Sequence, residues 1–144
     1  MRSAFLGGCV LLVSLNVGAA SAVGSLEGKW KISKVLDSQQ TTSLSDDEVS
    51  KLIGKDLLIE SKHIQFDSAV CVNPKLKTER HRMYAHFIKE YNFEPKHLPL
   101  PDTVTEIQIE CDDPVGIDFL YIRDKRQVVL FWKGFFLNAV KQAR

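Results

Sequence analysis

Between Thr105 and Lys141 four apolar-rich runs, TEIQIEC, IDFLYIR, QVVLFWK and FFLNAVK, follow one another with connections too short to hold a helix. Strands joined this closely must pair antiparallel, because a parallel crossover needs a dozen or more residues. The Asp124-Lys125 region marks one turn, and Lys133-Gly134 reads as a tight hairpin. In the first run Ile107, Ile109 and Cys111 share a face against Glu106, Gln108 and Glu110, the alternation of a half-buried strand. The last two runs are apolar on both faces, which predicts cover from a helix or a place in the middle of a closed sheet.

The same period appears upstream. Leu26, Gly28, Trp30, Ile32 and Leu36 oppose Glu27, Lys29, Lys31 and Ser33, and two short strands, Leu57–Ile59 and His63–Phe66, flank a Glu60-Ser61-Lys62 turn. Two helices interrupt the strands. In LSDDEVSKLIGK, Ser45 and Glu48 have capping-box spacing, Leu44 and Val49 occupy staple positions, and Gly54 supplies a stop. Val49, Leu52 and Ile53 form its apolar stripe. Capping accounts for the acidic Asp46-Asp47-Glu48 cluster without a metal. A second amphipathic helix is expected from the Asn73-Pro74 start through Phe93, docked on the sheet, with Pro95, Pro99 and Pro101 stiffening the connector after it. The predicted class is mainly β with two helices, an antiparallel barrel or strongly curved sheet.

Arg2, the apolar Ala4 to Val17 stretch and Ala20-Ser21-Ala22 predict a secretory signal peptide over residues 1–22. Its glycines and polar residues make it too weak for a spanning helix of about 20 apolar residues, so no stable membrane insertion is expected. One domain, 23–144, then remains. Its formal charge falls from +1 to zero when Arg2 leaves, so no global field draws it to nucleic acid. Its two remaining cysteines, Cys71 and Cys111, are expected to pair in an oxidising compartment, stabilising the fold by roughly 4 kcal/mol in the chain-entropy picture. The expected location is periplasmic or secreted, and the lack of an Asn-x-Ser/Thr sequon suits a bacterial periplasm.

Gly28-x-Trp30 on the first strand, with the basic Lys141 on the last, resembles the opening and closing motifs of the lipocalins and their wider calycin relatives. That resemblance implies an up-and-down barrel closed by Gly28, Trp30 and Lys141, with the cation lying across the indole. It also implies an interior, with Phe119, Tyr121 and Phe131 as candidates to line it or touch a ligand. The Thr-Asp-Tyr motif of a later lipocalin loop does not occur.

Catalytic chemistry is not legible. Ser25 lies in no nucleophile elbow, and no glycine-rich phosphate loop occurs. His81 and His86, five apart, would stand about 140° apart on one helix and could not share a zinc ion as an i, i+4 pair can. No enzyme activity, cofactor or metal is expected. Charge is segregated, with Lys75, Lys77, Arg80, Arg82, Lys89 and Lys96 in one block and Asp102, Glu106, Glu110, Asp112, Asp113 and Asp118 in the next. These are solvated faces leaning on each other or a recognition surface. The expected function is binding of a small apolar or amphipathic ligand in a barrel. The alternative is a plugged barrel that binds a protein through its surface, as small exported inhibitors and immunity-type proteins do. The Ser-Gly-x-x-Tyr signature shared by several bacterial lysozyme inhibitors is missing.

If Ser45 caps the first helix, Ser45→Ala lowers stability by about 0.5–2 kcal/mol. Denaturant midpoints of the two proteins measure this, and an unchanged midpoint would place the helix start elsewhere.

Overall fold

Strand β1 (Gly28–Ser38) is the longest element and stands next to the middle strand of the sheet. A computed structural model describes residues 23–144; the expected signal peptide lies outside these residues. After β1 come α1 (Asp46–Ser50), β2 (Asp56–Ile59), β3 (His63–Phe66), β4 (Ala69–Val72) and β5 (Lys75–Arg82). Then follow α2 (Met83–Tyr91), β6 (Thr103–Glu110), β7 (Phe119–Ile122), β8 (Gln127–Trp132) and β9 (Phe135–Lys141). Residues 23–26 are helical as well.

The nine strands form one sheet in the order β4-β3-β2-β1-β9-β8-β7-β6-β5. Every neighbouring pair is antiparallel. Strands β4 and β5 are the two edges, yet only Asn73 and Pro74 separate them in the chain. Laid flat, nine strands at about 4.8 Å spacing would put those edges nearly 40 Å apart. The link from Val72 to Lys75 spans about 11 Å at most. The sheet must therefore curl, and it forms a half-barrel. The Cys71–Cys111 disulfide, with Cα atoms 5.6 Å apart, ties β4 to the residue just after β6 and fastens the corner where the edges meet.

Alternation sorts side chains onto two faces. The concave face collects Trp30, Ile32, Leu57, Ile64, Ile107, Leu120, Leu130 and Leu137, all at most 1 % exposed. The outer face carries a second core, in which Val104, Tyr121, Val129 and Phe136 pack under Phe87 of α2 and Leu98 of the connector. Strands β8 and β9 are apolar on both faces because both are covered. Phe119, Tyr121 and Phe131 all belong to the outer core. The expectation that they line the barrel interior is corrected: strand parity turns them away from Trp30.

The second helix is also corrected. Residues 75–82 form a strand, pairing with β6 along its whole length from Lys75 opposite Glu110 to Arg82 opposite Thr103. The unpaired side of β6 needs a partner, and that pairing outweighs helical propensity. Lys75, Lys77, Arg80 and Arg82 suit an edge strand, where charge blocks further pairing. The helix begins only at Met83, whose N–H donates to the Asp102 carbonyl at 2.8 Å, and it ends at Asn92 in the left-handed region. Asn73 marks the corner between the edge strands with φ of 52°, and it is no helix cap. Strand β4 was not anticipated.

In α1 the reciprocal Ser45–Glu48 cap is present, with the Ser45 N–H donating to Glu48 Oε2 at 2.8 Å and the Glu48 N–H to Ser45 Oγ at 3.3 Å. The helix closes at Ser50, earlier than expected, and turns lead on to Gly54. Val49 and Leu52 are buried, but Ile53 is 47 % exposed and leaves the predicted stripe.

The first and last strands pair with each other. Trp30 lies opposite Lys141 in the β1–β9 register, and Lys141 Nζ sits 5.4 Å from the indole centroid. The same ammonium donates to the Ser25 carbonyl at 2.6 Å, while Trp30 Nε1 donates to the Leu26 carbonyl at 2.8 Å. Gly28 has φ of +135°, and a Cβ there would stand 3.1 Å from Lys141 Cε.

Trp30→Ala should cost about 3–5 kcal/mol through lost burial and a cavity. Lys141→Ala should cost far less, and about 0.5–1 kcal/mol less again in a Trp30→Leu background, where no ring faces the cation. Denaturation of the four proteins in that cycle measures the coupling. Strict additivity would show that the indole contact contributes nothing.

Candidate functional site

Antiparallel register places two glutamates directly opposite each other. Glu79 of β5 faces Glu106 of β6, and Glu106 in turn faces Tyr121 of β7, making one rung across three strands on the outer face. Like charges directly opposed destabilise a sheet unless neighbours compensate. Here they do. Lys77, two residues along β5, binds Glu79 Oε1 at 2.6 Å. His81, two residues the other way, brings Nε2 to 3.4 Å from Glu79 Oε2 and 3.3 Å from Glu106 Oε1.

Helix α2 then covers the rung. His86 Nε2 lies 2.8 Å from Glu106 Oε2, and the Tyr121 hydroxyl donates to that oxygen at 2.7 Å. Tyr91, near the end of the helix, hydrogen-bonds the Tyr121 hydroxyl from behind. The carboxylate of Glu106 is thus held by two imidazoles and a phenol, and only 7 % of its side chain is exposed. A carboxylate buried this far needs such partners, since a bare one would carry the full desolvation cost. The His81 and His86 rings stack with centroids 3.8 Å apart and planes 11° from parallel. Phe87, Tyr91 and Tyr121 meet the His86 ring edge-on.

Over this cluster opens a cleft of about 560 Å³. His81, His86, Tyr91, Glu106 and Phe119 line it, and Lys77, Glu79, Arg82, Lys89 and Glu90 add charges of both signs. The lysine beside Glu79 holds that carboxyl below the usual range, and Lys77 is raised in return by Glu79. Burial pushes the hydroxyls of Tyr91 and Tyr121 well above the ordinary phenol range; at Tyr121 the neighbouring Tyr91 and Glu106 add to it. Donor atoms of His81, His86 and Glu106 all lie within 4.8 Å of one another, a set chemically able to hold a metal ion.

The residues anticipated as functional divide between the two faces. Gly28, Trp30 and Lys141 lie together where the first and last strands pair, and Cys71 and Cys111 fasten the corner. Phe119 lines the cleft, Tyr121 is buried beneath it against Glu106, and Phe131 packs among Tyr91 and Phe136 in the apolar part of the outer core. His81, His86 and Glu106 were not expected together, because both histidines were placed on one helix. They come instead from a strand and from the helix that follows it. The available signal was the Lys75/Leu76/Lys77/Thr78 alternation, which fits a strand as well as a helix.

The raised tyrosines give stability an alkaline limit. Below about pH 10 the folded and unfolded chains both hold the phenolic protons, so this contribution is intact. Above it the unfolded chain releases protons that the folded chain keeps, and stability falls by about 1.4 kcal/mol per pH unit for each protected tyrosine. Denaturant midpoints from about pH 9 to about pH 12 should show this fall, with a shallower slope in Tyr121→Phe. Equal slopes would mean that Tyr121 titrates as an ordinary phenol.

Compared with protein-family models, characterised proteins and solved structures, the chain finds no match.

Proposed function

We propose that the mature chain is an exported binding protein, not an enzyme, that works from the outside of its half-barrel through the polar cleft between β5, β6 and α2. One observation carries this reading: the concave face is packed with its own side chains, while the outer face keeps a cleft over buried, convergent polar groups. Sites of that kind, concave with a few fixed polar groups, are where ligands are most often held. A calycin-like relationship remains compatible with the Trp30–Lys141 contact, but a barrel of that type would here be filled. The disulfide agrees with an oxidising compartment.

A protein partner on the same face is the second reading. Tyr84 and Ile88 stand one turn apart on α2, at 53 % and 40 % exposure, close to cleft residues Ala85 and Lys89. Aromatic and aliphatic side chains of this kind anchor protein interfaces.

The two faces are distinguished by an apolar fluorescent probe, anilinonaphthalene sulfonate, titrated into the native protein. No saturable binding is expected. Stoichiometric binding that shifts the backbone amide signals of Trp30, Leu57 and Leu130 would overturn the outer-face reading and restore an interior ligand.

A further inference from the structure

We propose that His81, His86 and Glu106 bind a divalent transition-metal ion of the zinc type, with one coordination position left facing the cleft. This rests on the cleft being a binding site and names what it binds. Two imidazole nitrogens and a carboxylate favour zinc and its first-row neighbours over calcium or magnesium, which prefer all-oxygen shells. Three protein ligands with a fourth position open is the arrangement of a zinc ion that meets an outside molecule.

All three donors lie within 4.8 Å of one another, so tilting the two stacked rings brings them onto one ion. Zinc with donors at about 2.0–2.2 Å sets neighbouring donors roughly 3.3 Å apart in a tetrahedron. His81 Nε2 and Glu106 Oε1 are already 3.3 Å apart, and His86 Nε2 is 2.8 Å from Glu106 Oε2. Both imidazoles point the same nitrogen at one carboxylate, although one comes from the end of β5 and the other from α2. Their stacked rings are held by that common target.

The surroundings fix the ligands. Tyr121 donates to Glu106 Oε2 and leaves Oε1 turned toward His81. Such hydrogen bonds behind a ligand orient it and raise metal affinity. At the mouth, Lys77, Arg82 and Lys89 suit an anionic group on the open position.

The test uses the mature, disulfide-intact chain, stripped of metal and titrated with cobalt(II) and then zinc. Ligand-field absorption and calorimetry report binding. The expected result is one ion per chain, with His81→Ala and His86→Ala each weakening it by at least about tenfold. The other two histidines, His63 and His97, pair with Glu60 and Asp37 on the surface, and their alanine variants should bind normally. Near-ultraviolet circular dichroism checks that each variant is folded. If His86→Ala does not fold, His81→Gln, at a side chain already 22 % exposed, decides the matter. No one-to-one binding, or binding that survives loss of His81 and falls with His63 or His97, would overturn the metal proposal. Neither result would touch the outer-face reading, which fails only if the apolar probe enters the concave face.

Discussion

Two residues, Asn73 and Pro74, join the outermost strands of a nine-stranded sheet, and the rest of the structure follows from that short link. A flat sheet is sterically impossible with such a connection, so the strands roll until one corner of β4 lies within reach of the start of β5. Rolling gives the sheet an inside, and the inside collects apolar side chains from β1 through β9. The disulfide holds the meeting point against opening. Curvature here is a consequence of chain connectivity first and of side-chain packing second.

The same link decides where the polar chemistry lies. Because the chain re-enters the sheet as β5, a lysine-, arginine- and histidine-rich segment pairs along the acidic β6. Parts of the two charge blocks that look separate in the sequence therefore lie side by side, with Lys75 directly opposite Glu110. Opposing Glu79 to Glu106 would be unfavourable alone. Lys77, His81, His86 and Tyr121 turn that conflict into a satisfied network, and its inner member is nearly inaccessible to water. Buried polar networks are costly when incomplete and specific when complete. The Glu106 carboxylate belongs to the second kind.

Much of the sheet was legible because period-two alternation is a short-range signal. Ile107/Ile109 and Ile64/Phe66 face the concave core as their spacing requires, and the Ser45–Glu48 cap forms from residues three apart. The pairing of Cys71 with Cys111 followed from their being the two cysteines outside the expected signal peptide. What failed depended on distant partners. Residues 75–82 carry a pattern compatible with helix or strand, and β6, more than twenty residues away, settles it. Phe119, Tyr121 and Phe131 lie on strands apolar on both faces, where alternation says only that two faces exist. Which face meets the curl depends on the whole sheet. The cluster of His81, His86 and Glu106 inherits both uncertainties, since it needs the strand assignment of β5 and the docking of α2 together.

Helix α2 is what makes the outer face more than a solvated surface. On an uncovered strand, Glu106 would sit in the polar row of TEIQIE and lose little by facing water. With Phe87, Tyr91 and the connector residue Leu98 packed over β6 to β9, that row becomes partly interior. The carboxylate then depends on protein groups for its hydrogen bonds, and those groups are fixed by the aromatic packing around them. Fixed polar groups pointing into a cleft lose little further freedom when a ligand arrives. Apolar cover on the outer face is therefore what fixes the polar groups around Glu106, while the same kind of packing leaves the concave side filled.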